Sequence, residues 1–220
     1  MTLKNVKLKP KLIGLFLLVG LVPLAVVGFY AANSATAALD DASFAQLRAV
    51  RDIKAGQISG YFEERAGDLE VLTNTVATFV ESEGLRISES GAREVASETD
   101  QFLNEYVAAY GYYDLFLIHP DGDVFYSVAR EADYETNILT GAYSDSSLAH
   151  AVEEALDTRS FGFGDFRPYA PSGGEPAAFV AEPLVIGNDV EVVVALQMPL
   201  EQINGIMQER TGMGETGETY

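Results

Sequence analysis

Hydrophobic positions in the first third of the chain follow two patterns. Residues 12–32 form an uncharged apolar run. As a helix rising about 1.5 Å per residue, this run can cross the roughly 30 Å hydrocarbon layer of a membrane. From residue 40 to about residue 80, apolar residues instead recur mostly three, four or seven positions apart, and no proline interrupts them. We therefore expect a transmembrane helix at 12–32 and a stalk helix at 33–80, which either packs on its own domain or pairs in a dimer.

The remainder of the chain alternates between helical and strand patterns. A polar break at 81–84 precedes a second amphipathic segment, whose predicted apolar face has Val95, Thr99, Phe102, Tyr106 and Tyr110. Further segments are then expected. They are a hairpin of strands 114–118 and 124–128, a short helix at 147–156, a hairpin of strands 177–185 and 190–196, and a closing helix at 199–210 with Leu200, Ile203 and Ile206 inward.

This order of elements predicts the fold class. Helix, hairpin, helix and hairpin in succession imply an antiparallel sheet with helices packed against it, which is an α+β fold.

Charge is distributed very unevenly along the chain. Lys4, Lys7, Lys9 and Lys11 precede the apolar run, and no acidic residue occurs before Asp40. This asymmetry predicts a cytoplasmic N-terminus at 1–11, a membrane anchor at the apolar run, and an extracytoplasmic location after about residue 33. A cleaved signal peptide is the alternative, with residues 35–37 as its cleavage site, and it also places the rest of the chain outside.

Composition excludes several function classes. The formal net charge of -19 disfavours nucleic-acid binding, because an acidic surface repels phosphates, whereas small cations and amines stay possible. The acidity is equally compatible with a saline habitat. The chain has no cysteine, and its two histidines, His119 and His150, follow no metal-binding pattern. We therefore expect no metal site and no cofactor.

Five segments form a distinctive combination. After the basic and apolar start come 58–62 in the stalk, the apolar strand ending in Pro-Asp-Gly at 115–124, Pro168 and Tyr169, the strand 178–184, and the Gly-Met-Gly-Glu-Thr-Gly-Glu-Thr-Tyr run at 212–220. Together they resemble the double Cache sensor region of methyl-accepting chemotaxis proteins over nearly the whole chain. The resemblance implies a membrane-distal, PAS-like lobe at 81–210 and the beginning of a truncated membrane-proximal lobe at 211–220.

The resemblance also implies a function. In such receptors the distal lobe binds a small molecule between its sheet and the overlying helix and loops, and the signal passes along the stalk. The expected protein is a homodimeric chemoreceptor rather than an enzyme. The same sensor region also occurs on histidine kinases and cyclic-dinucleotide enzymes. The chain departs from the amino-acid-binding version of the family, because it has no tryptophan and has Ala170 and Pro171 where an aspartate is expected.

Candidate ligand-binding residues lie between the two hairpins. An arginine is a natural partner for a carboxylate, whereas aspartates with tyrosines suit an amine, so we expect a ligand of one of these two kinds. Each candidate has an alternative role in the core or on the solvated surface. The candidates are Tyr126, Arg130, Asp133, Tyr134, Tyr143, Asp165, Arg167 and Tyr169.

Two short motifs are better explained by structure than by chemistry. Phe-Gly-Phe-Gly at 161–164 lacks the glycine spacing of a phosphate loop and predicts a tight strand edge. Asp-Gly-Asp at 121–123 lacks the further oxygen ligands of a calcium loop and predicts a hairpin turn. Catalytic patterns do not stand out from the acidic residues, so an exported hydrolase is the weaker hypothesis. A stalk domain that binds only another protein is the third hypothesis.

Overall fold

The structure, a computed structural model, describes residues 8–87, 93–210 and 213. It divides into two compact units, whose main segments are Met1–Lys54 and Ala55–Glu209. In chain order the elements are α1 (Leu8–Glu81), β1 (Leu85–Ile87), β2 (Arg93–Val95), α2 (Ser97–Tyr110), β3 (Asp114–Ile118), β4 (Val124–Ser127), α3 (Ser147–Thr158), β5 (Gly162–Pro168), β6 (Pro176–Ile186), β7 (Asp189–Met198) and α4 (Leu200–Gln208).

Helix α1 includes both the apolar run and the amphipathic segment. An 18-residue window of α1 has a mean hydropathy of 2.7, and none of that window is buried. Within the described ranges, α1 alone is long and apolar enough to cross a membrane. The helix continues through Pro23 and ends at Glu81, the first residue of the predicted polar break at 81–84. The domain boundaries expected after residues 80 and 210 stay predictions. Residues 211–220 lie outside the described residues apart from Met213.

The second unit is built on a five-stranded antiparallel sheet in the order β4-β3-β7-β6-β5. Both predicted hairpins are confirmed: Leu117 pairs with Tyr126 in the first, and Val180 pairs with Leu196 in the second. Strands β3 and β7 join the two hairpins at the centre of the sheet. The predicted α+β fold, with a long N-terminal helix and an antiparallel sheet flanked by helices, is therefore confirmed.

The two faces of the sheet pack into separate cores. Leu115 and Leu117 of β3 lie in one core with Leu69 of α1 and with side chains of α2. Phe116 and Ile118 lie in the other core, which α3 covers. Because successive strand residues point to opposite faces, burial on both faces requires an almost continuous apolar sequence, as β3 and β7 have.

The buried face of α2 differs from the prediction. Leu103 and Val107 are buried together with Tyr106, whereas Tyr110 is 47% exposed and Val95 belongs to β2. The predicted face through Phe102 and the observed face through Leu103 and Val107 both have helical spacing. The position of the sheet determines which of the two is buried.

Four short elements were not predicted or were misplaced. The β1–β2 pair has only three residues in each strand, which is too short for a recognisable period. Strand β5 was recognised only as a tight edge. Helix α4 begins one residue later than expected, with Pro199 as its N-cap residue, and its inward residues are half-buried rather than buried.

Candidate functional site

The eight candidate residues lie in three separate places. One pair is buried on the α3 side of the sheet, a second group lies at and after the end of β4, and the others are exposed or half-buried around α3 and β5. The pair is Asp133 and Tyr169, the second group is Tyr126, Arg130 and Tyr134, and the third is Tyr143, Asp165 and Arg167.

Asp133 and Tyr169 form a buried polar pair. The Tyr169 hydroxyl donates to Asp133 Oδ2 at 2.5 Å, and the two residues are 1% and 0% exposed, respectively. The other carboxylate oxygen of Asp133, Oδ1, accepts no well-aligned hydrogen bond in the described part of the chain. Burial raises the pKa of Asp133, although the Tyr169 hydrogen bond acts in the opposite direction. Main-chain N–H groups of Asp133 and Tyr134 also lower this pKa, so the buried carboxylate is stabilised from within its own loop as well as by Tyr169.

Tyr126 and Arg130 share an acidic partner from α2. The Tyr126 hydroxyl donates to Asp100 Oδ1 at 3.0 Å, and Arg130 Nη2 lies 3.8 Å from the same oxygen. The guanidinium of Arg130 also lies 5.7 Å from the centroid of the Tyr134 ring. Burial raises the pKa of Tyr126, so its hydroxyl stays protonated. In this arrangement Arg130 is already engaged by a carboxylate of the protein.

The third group lies near α3. Arg167 is exposed, and its Nη1 lies 3.2 Å from His150 Nε2. Asp165 is exposed, and its main-chain oxygen accepts a hydrogen bond from Ser147 Oγ at 2.6 Å. Tyr143 is half-buried and packs on the core that α3 covers. Tyr143 therefore packs on the same core as Tyr169, whereas the contacts of Arg167 and Asp165 do not involve the Asp133–Tyr169 pair.

Asp114, at the beginning of β3, is a buried acid that the sequence analysis missed. Its Oδ1 accepts from Leu115 N at 2.7 Å and from Ala129 N at 2.9 Å, and its Oδ2 accepts from Ser127 Oγ at 2.7 Å. Burial raises the pKa of Asp114 to about 6, and the nearby charge of Asp133 contributes. An acid beginning the otherwise apolar Asp-Leu-Phe-Leu-Ile strand was a signal that could have identified it.

Gln197 of β7 lies opposite Asp114 and begins a second polar network. It is 4% exposed, and its Nε2 donates to Ser172 Oγ at 3.2 Å. Ser172 in turn donates to Glu131 Oε2 at 2.6 Å, and the Tyr113 hydroxyl donates to Glu131 Oε1 at 2.8 Å. Gln197 Oε1 has no hydrogen-bond partner among the described residues.

A cavity of about 360 Å³ adjoins this network. It lies between the turn that follows α2, the loop between β5 and β6, and the junction of β7 with α4. Its polar lining includes Tyr113, Ser172 and Gln197 with the two acids Glu175 and Glu201, and no described lining residue is basic. The volume is within the range of sites for small molecules.

Both short motifs have the structural roles that were expected. Gly162 and Gly164 lie in the edge strand β5, where an added Cβ would meet the backbone of α3 at Ala151 and Ser147. Asp121 lies in the β3–β4 turn and accepts from Asp123 N at 3.2 Å. Across the described ranges, no group of three or more histidine, cysteine or acidic side chains could hold a metal ion.

Comparisons with known proteins find similarity at the level of structure only. No family model and no curated protein sequence matches the chain. Among solved structures, the sensory domain of the Campylobacter jejuni chemoreceptor CcmL matches 78% of this chain and 66% of its own, with a TM-score of 0.59 and 12% identity.

Two further structures show the same fold. The ligand-binding domain of the Pseudomonas aeruginosa amino-acid chemoreceptor PctC, in complex with GABA, has a TM-score of 0.52 and 18% identity over 74% of this chain and 63% of that one. The sensor domain of the Vibrio cholerae histidine kinase DctB has a TM-score of 0.52 and 14% identity over 74% and 58%. The chain therefore has a Cache-type, PAS-like sensor fold and spans 58–66% of the length of these three domains.

Proposed function

We propose that the chain is the membrane anchor and extracytoplasmic ligand-sensing region of a bacterial transmembrane chemoreceptor, and that it has no enzymatic activity of its own. The observation that supports this most strongly concerns α1. The same helix contains the candidate membrane span and contributes Leu69, Leu72 and Val76 to the core of the Cache-type sheet. A ligand that favours one packing of the sheet on α1 would therefore act on the element that enters the membrane.

The orientation follows from charge. The lysines before the apolar run would hold the N-terminus in the cytoplasm, which leaves residues after about 33 on the outer side of the inner membrane. The similarity to domains described as sensory and ligand-binding supports an extracytoplasmic sensor.

A homodimer is the proposed state of the receptor. In the first unit, α1 exposes large apolar side chains outside the predicted span, including Phe44 at 61%, Leu47 at 56% and Ile53 at 63%. Exposed apolar residues on a long helix favour pairing with a second helix. Light scattering of the chain in detergent, corrected for bound detergent, should give twice the 23.7 kDa chain mass.

A small molecule, either a carboxylate or an amine, is the proposed ligand. A thermal-shift panel on the full chain in detergent micelles, with amino acids, organic acids, amines and purines, tests the proposal. A ligand at 100 times its dissociation constant stabilises by about 2.7 kcal/mol, which raises Tm by roughly 5–11 °C in a domain of this size.

Two serines provide a matched pair of variants for this panel. Ser172→Ala removes the hydroxyl that links Gln197 to Glu131, and we expect it to reduce the shift, whereas Ser160→Ala at an exposed bend should leave the shift unchanged. The predicted role of Arg130 is tested in the same assay through Arg130→Ala. A panel without any shift would argue against direct sensing.

The sensor region of a histidine kinase is the second candidate function, since the DctB sensor domain has the same fold. Deleting the gene separates the two. The chemoreceptor proposal predicts lost migration in a gradient of the ligand with unchanged transcription. The kinase alternative predicts unchanged migration and altered transcription in response to the ligand.

A further inference from the structure

The cavity beside Gln197 is negatively charged. Glu175 and Glu201 are exposed at its wall, and Glu131 lies one hydrogen bond behind Ser172. Because no described lining residue is basic, an anionic ligand would meet repulsion on entering, and a cation would be attracted.

One unpaired acceptor belongs to a residue of the cavity wall. Gln197 is 4% exposed, and its Oε1 has no hydrogen-bond partner in the described ranges. A buried acceptor without a donor is unfavourable, so a ligand that donates a hydrogen bond to this oxygen would recover free energy.

The acids of this region are electrostatically coupled, and no described basic side chain forms an ion pair with Glu131, Asp133 or Asp114. The negative charge of Glu131 helps to raise the pKa of Asp133, and that of Asp133 helps to raise the pKa of Asp114. Asp114 lies opposite Gln197 in the sheet. Arg65, whose guanidinium lies 5.2 Å from the ring centroid of the lining Tyr112, is paired with Glu64 and Asp68. Arg130 contacts Asp100 and Tyr134, and Arg167 contacts His150. The region therefore has more negative charge than positive charge close to it, and a bound cation would correct this imbalance.

From these observations we propose that the cavity binds a small organic ammonium, which donates to Gln197 Oε1 and is held by the surrounding carboxylates of Glu131, Glu175 and Glu201. This inference rests on the proposed sensing function and names its ligand class. Pro176, Met198 and Leu200 also line the cavity and would contact a short aliphatic group of the ligand. An α-amino acid fits less well, because its carboxylate would lie among acids and find no arginine among the lining residues.

The test uses defined probes on the full chain in detergent micelles. Ethylammonium, ethanolammonium and putrescine chlorides are compared with sodium acetate, propionate and malate at equal ionic strength, and the readout is Tm. We expect at least one ammonium probe to raise Tm in a saturable manner, and the anions to have no such effect.

Variants locate the binding. Glu175→Gln combined with Glu201→Gln should raise the Kd of the ammonium probe about tenfold at low ionic strength, and less at high salt, because both charges are exposed to solvent. Glu63→Gln, an exposed acid of α1 that does not line the cavity, is the matched control and should leave Kd unchanged. Gln197→Leu should abolish binding. If that variant does not fold, the glutamate pair still decides the question.

The outcomes separate this inference from the proposed function. If an anion or a neutral compound raises Tm and the ammonium probes do not, the ammonium site is wrong and the sensing function stands. An equal loss of affinity in Glu63→Gln and in the glutamate pair would mean only general charge attraction, and would also overturn the site. If no compound shifts Tm, the inference is rejected, and the migration assay decides the sensing function.

Discussion

The stability of the second unit should depend on pH through Asp114. Burial raises the pKa of this carboxyl from an ordinary 3.8 to about 6, against the hydrogen bonds from Ala129 N, Ser127 Oγ and Leu115 N. The folded chain therefore binds this proton more tightly than the unfolded chain does. The contribution of this proton to the free energy of unfolding is complete below about pH 4. It is lost as the pH rises toward about 6, and it stays lost above that value.

The magnitude follows from the pKa difference. Each tenfold change in proton affinity is worth about 1.4 kcal/mol, so a pKa raised from 3.8 to about 6 corresponds to on the order of 3 kcal/mol. For a domain of this size, such a loss lowers Tm by roughly 6–12 °C between pH 4 and pH 7. A bound ammonium would offset part of the same loss, because it would compensate the buried negative charge.

The assay is thermal unfolding of the full chain in detergent, followed by the near-ultraviolet circular dichroism of its tyrosines at constant ionic strength. Asp114→Asn keeps an oxygen that can accept from Leu115 N and Ala129 N, but it has no charge to titrate. Its Tm should fall less than that of the wild type between pH 4 and pH 7, and Asp157→Asn, an exposed acid of α3, should follow the wild type. Parallel pH profiles for the wild type and Asp114→Asn would refute the reasoning.

Three further predictions address packing and topology. Gly164→Ala forces a Cβ into the backbone of α3 and should destabilise the second unit by about 2–3 kcal/mol. Gly67→Ala, on an open face of α1, should instead stabilise it by up to about 1 kcal/mol. Urea unfolding measures both changes. Arg65→Met removes a buried guanidinium that is paired with acids of α1 and should cost roughly 3 kcal/mol in the same experiment, whereas a change below about 0.5 kcal/mol would contradict the buried pairing. Because the chain has no cysteine, Ser43→Cys should react with a membrane-impermeant maleimide in spheroplasts and Lys9→Cys should not; the opposite labelling would reverse the proposed orientation.

Much of the fold could be predicted because its strands and hairpins are local. The first hairpin has a turn sequence between two apolar runs, and the long helix has an uninterrupted apolar period. The error in α2 arose because two stripes, one through Phe102 and one through Leu103, satisfy the same spacing. Only the position of the sheet distinguishes them, and that position depends on residues far away in the chain.

The site was less accessible to prediction, because its contacts are not local. Asp133 and Tyr169 were both candidates, yet their hydrogen bond spans 36 positions, and nothing near either residue identifies the other. Asp114 and Gln197 face each other only because β3 pairs with β7 at the centre of the sheet. A glutamine in an apolar strand gives no sign that its oxygen lacks a partner, since this depends on the final packing.

The proposed signalling requires that a ligand of the Cache-type unit acts on α1. Hydrogen–deuterium exchange of the full chain in nanodiscs, with and without a saturating concentration of the compound that gives the largest thermal shift, tests it most directly. We predict slower exchange in the residues around the cavity, together with changed exchange in the part of α1 that contains Leu69, Leu72 and Val76. Protection confined to the cavity, with unchanged exchange throughout α1, would show that the ligand does not act on α1.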